Sequence, residues 1–454
     1  MEPFRFHMFV CTQEKPEGVP SCPAKGSWRV LSALQRELRS QGLSDEVHVT
    51  TSGCLGLCDH GPVMIAYPEG TWYREVQVED VPEIVASHLQ SGKIVVRKAW
   101  TDAVAMKAEI LDHVAHYLAM VKARDEAGIL PDDLNETIRG FMSSRAVLTA
   151  LELDVFTAVD AGASAQDVAE RIQANPRATE MLLNALASLK LLEKKDGSFR
   201  NTPISARFFV EGSRDNARGG LMHTANLWQR WSTLTECMRT GTAVLTGKRD
   251  GSWTQAFIAA MDRNARERAH SVVEAVGSDG IRRMLDLGGG SGAYSIAFVK
   301  AIPGLQADVL DVPEVLPLAQ DFIRKAGLAD RVHTRPGDML HDPLGEGYDL
   351  ILLSAICHMF SPEENRTLFQ RAYAALAPNG RLVVQDFILE PDKTAPRFAA
   401  LFALNMLVGT RTGGSYSEPE YSDWLREAGF AEVRRVRLAG PSGLMIATRA
   451  GGPN

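Results

Sequence analysis

The stretch Met284-Leu285-Asp286-Leu287-Gly288-Gly289-Gly290-Ser291-Gly292-Ala293 decides how this chain is read. An apolar strand pattern runs into glycines, and a helical pattern begins directly after them. Glycines at such a turn permit left-handed backbone and let a ligand approach where a Cβ would collide. Alone the motif is ambiguous, because Gly288-x-Gly290-x-x-Ala293 also satisfies a dinucleotide fingerprint. Downstream, strand and helix patterns alternate, which predicts a doubly wound α/β fold with a mostly parallel sheet. The expected strands cover residues 283–287, 307–311, 332–336, 348–354 and 381–387. A last pair, 431–438 and 443–449, flanks the turn Ala439-Gly440-Pro441-Ser442 and must be antiparallel.

Three neighbours decide the cofactor. Asp311 ends the second strand, placed to accept from ribose hydroxyls, which suits NAD or S-adenosylmethionine (SAM) alike. Asp338, in Gly337-Asp338-Met339, is expected to accept from an adenine amino group while Met339 packs on the ring. The terminal antiparallel pair is typical of SAM methyltransferases rather than of dinucleotide domains. SAM also carries no phosphate, so Asp286 can face its ammonium group; beside a pyrophosphate it would repel. The expected SAM set is Asp286, Gly288, Gly290, Gly292, Asp311, Asp338 and Met339.

A chain of 454 residues is too long for one core. Hydrophobic residues at 45% and charged residues at 23% indicate a globular protein. The net charge of −7 is spread along the chain, which argues against nucleic acid as a partner. No run of about 18 apolar residues suggests a membrane span. The N-terminal Met1–Lys15 lacks a signal-peptide pattern, so a cytoplasmic protein is expected. Four parts follow: an α/β unit over 1–97, a polar helical connector over 98–135, a helical region over 136–245 and the sheet domain over 246–454. The unit at the start has an amphipathic helix from Ser27 to Ser40 with Trp28, Leu31, Leu34 and Leu38 on one face. Within the helical region, Asp196-Gly197 marks a hairpin, suggesting a winged-helix arrangement. It has no basic recognition helix, so dimerisation is favoured over DNA binding.

From about residue 134 to 450 the chain resembles the hydroxyindole/caffeate-type O-methyltransferase family. The likeness rests on Gly140-Phe141-Met142-Ser143-Ser144-Arg145, Leu310-Asp311-Val312-Pro313, Gly337-Asp338-Met339 and Cys357-His358-Met359-Phe360-Ser361-Pro362, in the family's order. It implies a homodimer whose helical N-terminal part swaps around its partner, and a small-molecule methyl acceptor. It further implies His358 as the catalytic base and Asp386 as its orienting acid. Histidine suits that task near neutral pH. Two positions depart from the family: Met359 stands where plant enzymes carry Asp, and Ser415 falls near the second acidic position. Phe257, Met261 and Met406 match pocket positions, for which ordinary core packing is the competing explanation. Trp228, Trp231 and Trp253 would extend an aromatic wall, while Cys237 and Cys357 read as buried small residues.

The other four cysteines lie within the first 58 residues, as Cys11, Cys22, Cys54 and Cys58. A reducing compartment disfavours structural disulfides, whereas four thiolates hold zinc or a [2Fe-2S] cluster. The ten-residue gap between Cys11 and Cys22 argues against zinc, whose ligands usually come in close pairs. The run Thr51-Ser52-Gly53-Cys54-Leu55-Gly56-Leu57-Cys58-Asp59-His60-Gly61-Pro62 resembles thioredoxin-like [2Fe-2S] ferredoxins. That resemblance implies all four cysteines as ligands, with His60 outside the set.

The leading expectation is methylation of a hydroxyl, thiol or enol on a small aromatic molecule. An iron–sulfur domain would then serve redox sensing or docking to an electron-transfer partner. Two alternatives stay open. One is a redox-coupled SAM enzyme that does not transfer the methyl group, and the other is a non-catalytic SAM-binding regulator.

Overall fold

In the computed structural model, which describes residues 3–15, 19–245 and 251–451, the chain parts after Gly140 into two units. The first is built on strands β1 (Phe6–Cys11), β2 (Val47–Ser52), β3 (Met64–Tyr67) and β4 (Thr71–Tyr73), ordered β2-β1-β3-β4. Strand β1 runs parallel to β2 and antiparallel to β3, which is antiparallel to β4. Alternation explains its seat: Phe6, Met8 and Val10 point into one core while the residues between them do not. The helix Ser27–Ser40 lays Val30, Leu31, Leu34 and Leu38 on that core. Trp28, expected on the same stripe, is 45% exposed instead. Strand β4 is three residues long, too short for a period to register in the sequence.

The region read as a connector carries a 24-residue helix, Ala103–Glu126. Asp102 caps it, its carboxylate accepting the N–H groups of Val104 and Ala105 at 3.1 and 2.9 Å. The next helix, Asp132–Glu152, runs unbroken through the division expected between 135 and 136. The division expected at 245/246 lies outside the described residues.

Helices Val155–Val159, Ala165–Arg171 and Pro176–Ser188 continue the helical layer around a small sheet. Its strands are β5 (Ala163–Ser164), β6 (Leu192–Lys195) and β7 (Ser198–Asn201), ordered β5-β7-β6. Asp196 and Gly197 have φ of 48° and 78°, the left-handed pair that a tight two-residue hairpin requires.

The large sheet contains β8 (Arg283–Leu287), β9 (Gln306–Asp311), β10 (Val332–Pro336), β11 (Tyr348–Ser354), β12 (Leu376–Asp386), β13 (Glu432–Arg437) and β14 (Gly443–Thr448). The order is β10-β9-β8-β11-β12-β14-β13, with β14 antiparallel to both β12 and β13. Strand β11 is covered on both faces. Leu350 and Leu352 join Met284, Phe298 and Val383 in one core, while Ile351 and Leu353 join Leu285, Leu368 and Val384 in the other. Burial on two sides explains the continuous apolar run where a half-exposed strand would alternate. Chain order reverses between β8 and β11, so a crevice opens beyond their carboxyl ends, where open α/β sheets bind ligands.

Candidate functional site

The glycine turn lies at that crevice. Gly288, Gly290 and Gly292 have φ of 69°, 57° and 73°, a region that side chains other than glycine's enter at a cost. A Cβ on Gly288 would press into the Ile356 side chain and reach 3.1 Å from Met339 Cε. Gly289, outside the expected SAM set, is close-packed as well. Its Cβ would lie 2.8 Å from both Asp286 Cγ and Val309 Cγ1. The turn therefore holds its backbone directly against the Asp286 carboxylate.

Asp286 is 1% exposed. One carboxylate oxygen accepts from Ser295 Oγ at 2.8 Å, while the other is buried with no hydrogen-bond partner among the described residues. Burial pushes its pKa up to about 6 against the pull of that hydroxyl. An orphaned acidic oxygen beside a bare glycine turn fits a cationic ligand group. Asp311 accepts the N–H of Gly290 at 2.9 Å and that of Val312 at 2.8 Å, tying the second strand to the turn. Burial raises its pKa as well. Asp338 is exposed, and its oxygens meet the N–H of Leu340 and the ring of His341, each at 2.8 Å. The His341 contact holds its carboxyl below the ordinary value. Met339 is half-buried, against Gly288 and the core.

A second group forms at the end of β12. His358 lies in the single helical turn Cys357–Met359 after β11, 7% exposed, and its Nδ1 is 2.7 Å from Asp386 Oδ1. Asp386 also accepts the N–H of His358 at 3.1 Å, the N–H of Phe387 at 2.8 Å and the hydroxyl of Tyr421 at 3.2 Å. A carboxylate surrounded by donors accepts from His358 too, so the ring proton sits on Nδ1 and the lone pair on Nε2. Tyr421 is fully enclosed, and burial together with the Asp386 charge pushes its hydroxyl well above the ordinary tyrosine value. Gly414 N–H donates to the His358 carbonyl at 2.9 Å, and a Cβ on Gly413 would collide with that same oxygen. The two departures are now placed. Met359 is exposed, and Ser415 is buried with its Oγ unpartnered among the described residues.

Beside His358 stand phenylalanines outside the expected pocket set. Phe402 meets the imidazole edge-on at 4.8 Å, and Phe387 and Phe398 pack with Phe402 at 4.5 and 5.9 Å. Met406 is buried one turn beyond Phe402 on the helix Arg397–Gly409. Phe257 is half-buried against His223 at 5.2 Å, and Met261 is half-buried on the same helix as Phe257. Trp231 donates to Asn405 at 2.9 Å, beside Met406. Trp228 packs instead with the helical layer, and the side chain of Trp253 lies outside the described residues. Cys237 and Cys357 are both fully buried.

Four more thiols collect in the first unit. Cys11, Cys22 and Cys58 are buried and Cys54 is exposed. Cys54 and Cys58 have sulfurs 3.4 Å apart, and Gly56 N–H donates to Cys54 Sγ at 3.4 Å. Cys11 and Cys22 share a second contact, which draws Cys11 down to about 6 and pushes Cys22 up. The Cys58 contact likewise draws Cys54 down to about 5 while Cys58 rises. Gly61 leaves room for this packing, since a Cβ there would lie 2.8 Å from Cys22 Sγ. Two readily ionised thiols in a cluster of four suit a soft cation or an iron–sulfur core. His60 is paired with Glu109 at 2.9 Å, away from that role.

Residues 238–431 match the model of the O-methyltransferase domain, and residues 135–211 that of the O-methyltransferase dimerisation domain. The chain is 35% identical over 324 residues to 3-hydroxy-5-methyl-1-naphthoate 3-O-methyltransferase from Streptomyces sahachiroi, covering 68% of this chain and 92% of that relative. It is 31% identical over 328 residues to the tetracenomycin polyketide synthesis 8-O-methyl transferase TcmO from Streptomyces glaucescens, covering 70% and 96%. Human N-acetylserotonin methyltransferase in complex with SAM shares the fold with a TM-score of 0.63 at 26% identity, covering 70% and 96%. The chain belongs to the SAM-dependent O-methyltransferase family. The dimerisation-domain match supports a homodimer, and no described helix is long and apolar enough to cross a membrane.

Proposed function

We propose that this enzyme methylates a phenolic hydroxyl on a fused aromatic or polyketide-derived ring, with His358 as general base and Asp386 orienting it. The observation that carries the reading is the 2.7 Å contact between His358 Nδ1 and Asp386 Oδ1, which leaves Nε2 to take the acceptor's proton. The methyl group comes from SAM, whose ammonium group would meet the orphaned Asp286 oxygen, with the turn Gly288–Gly292 along its backbone. Asp311 is the ribose partner in this reading, and Met339 lies against the adenine. Methyl transfer depends on alignment of the nucleophile with the methyl carbon, so the chain's other task is positioning. Phe402, Phe387 and Met406 supply an apolar wall for that, and Phe257 and Met261 are further pocket residues in this reading. A naphthoate and a tetracenomycin polyketide in the names of two relatives support a fused-ring acceptor. The intact His358–Asp386 pair argues against a non-catalytic regulator.

The first unit is proposed as a thioredoxin-like [2Fe-2S] domain held by Cys11, Cys22, Cys54 and Cys58, for redox sensing or for docking an electron-transfer partner. Its mixed sheet, its helix Ser27–Ser40 and its gathered thiols support this. An apolar hollow of about 400 Å³ lined by Phe141, Met142, Leu153, Ile172 and Leu182 belongs to the helical layer, with no residue of the catalytic group. Its exposed Phe141 and Met142 suit a homodimer contact.

The test is S-adenosylhomocysteine formation against hydroxynaphthoates and simple phenols, after anaerobic purification and with the iron–sulfur domain oxidised or reduced. Turnover of a fused-ring phenol that His358→Ala abolishes supports the reading. SAM binding with no turnover of any phenol refutes it.

A further inference from the structure

The helix Ala103–Glu126 closes one side of the cysteine group. Met106 and Ile110 pack against the cluster of Cys11, Cys22, Leu57 and Val63. One turn further on, His113 Nε2 lies 3.8 Å from Cys58 Sγ and 3.9 Å from Cys54 Sγ. Lys15 Nζ lies 2.8 Å from that same nitrogen and 5.8 Å from the centre of the Tyr117 ring, on the next turn of the helix. Lys15 and the two sulfurs thus share His113 Nε2 as their common neighbour. An ammonium has only donors to offer, so His113 Nε2 must accept from it. The histidine proton then sits on Nδ1, and His113 itself has none to give the sulfurs. What it does is hold the ammonium in place beside the Cys54–Cys58 edge.

We propose that Lys15, positioned by His113, raises the reduction potential of the iron–sulfur cluster by the charge it places at the Cys54–Cys58 edge. This rests on the four-cysteine [2Fe-2S] reading above. Thiolates and sulfides already give such a cluster a net negative charge, and reduction adds one electron from an external donor. A fixed cation therefore stabilises the reduced form more than the oxidised one. The helix between the two predicted domains is then part of the redox site, and His113 is a positioning residue in it.

The test uses the full-length holoprotein, with iron and labile sulfide assayed first and the midpoint potential then titrated with dithionite under absorption monitoring. Lys15→Met is expected to lower the potential with cluster content and spectrum unchanged. His113→Leu should lower it by a smaller step, because the charge stays but is released. Lys15→Arg should remain near the wild type, and the double variant K15M/H113L should match K15M alone. A K15M potential equal to the wild type overturns the proposal. Loss of iron in H113L also overturns it, since His113 would then be a ligand. If K15M does not fold, Lys15→Gln gives the same readout. Wild-type protein carrying zinc and no labile sulfide overturns the cluster reading itself, a result distinct from an unchanged potential and visible before any titration.

Discussion

Tyr421 donates its hydroxyl proton to Asp386 at 3.2 Å, on the oxygen that also receives the backbone N–H of His358. The base is thus held through its ring and through its main chain by one carboxylate. Tyr421 closes that arrangement from the helix Glu418–Glu427, 35 residues further along the chain.

Tyr421→Phe removes one donor to Asp386 and keeps the ring in its core. A single hydrogen bond to a charged group contributes about 1.5 kcal/mol, so kcat should fall roughly tenfold. The KM for SAM should not move. Steady-state kinetics decide it, and an equal rise in both KM values with kcat intact would mean that Tyr421 only packs.

His358→Ala should lower kcat by roughly a hundred- to ten-thousand-fold, the range of a lost general base. SAM affinity, read by calorimetry, should stay the same. The loss should also shrink across a series of increasingly acidic phenols, because an acceptor already ionised needs no base. A uniform loss across that series would show that the histidine shapes the pocket without taking the proton.

Gly289→Ala tests the turn. Its Cβ would lie 2.8 Å from the Asp286 carboxylate and from Val309, both held in strands, so neither can move away cheaply. SAM binding should be lost while the circular dichroism spectrum is retained. Gly290→Ala has no atom nearer than 3.9 Å to meet and should suffer less, with only its φ of 57° strained. Equal damage from both substitutions would contradict the close-approach explanation.

The large sheet was legible because its signal is local. The run Leu350–Leu353 in β11 and the glycines after β8 state burial and turn in consecutive residues. His358 and Asp386 could be selected on resemblance, but Tyr421 could not, since nothing in its own helix marks it as the partner of a strand end. The same holds for Phe402, which reads as one more apolar residue of an apolar helix. The stretch 98–135 looked like a polar connector for a related reason. The helix Ala103–Glu126 has no fully buried residue, and its role lies in which few side chains meet the cysteine loop.

Asp286 makes SAM binding depend on pH. Its folded pKa of about 6 lies above the ordinary carboxyl value of about 3.9, so the folded apo protein binds the extra proton between these values. The sign follows: the shift costs the apo fold stability as pH rises through that window, and the cost is complete above about 6. A bound ammonium favours the ionised carboxylate and offsets the cost. SAM should therefore bind about tenfold more weakly at pH 5 than at pH 7.5, and should raise the melting temperature more at the higher pH. Asp286→Asn should bind weakly at both values, with the pH dependence gone. Calorimetry at the two pH values checks this, and a pH dependence that survives in the Asn variant would assign the titration to another group.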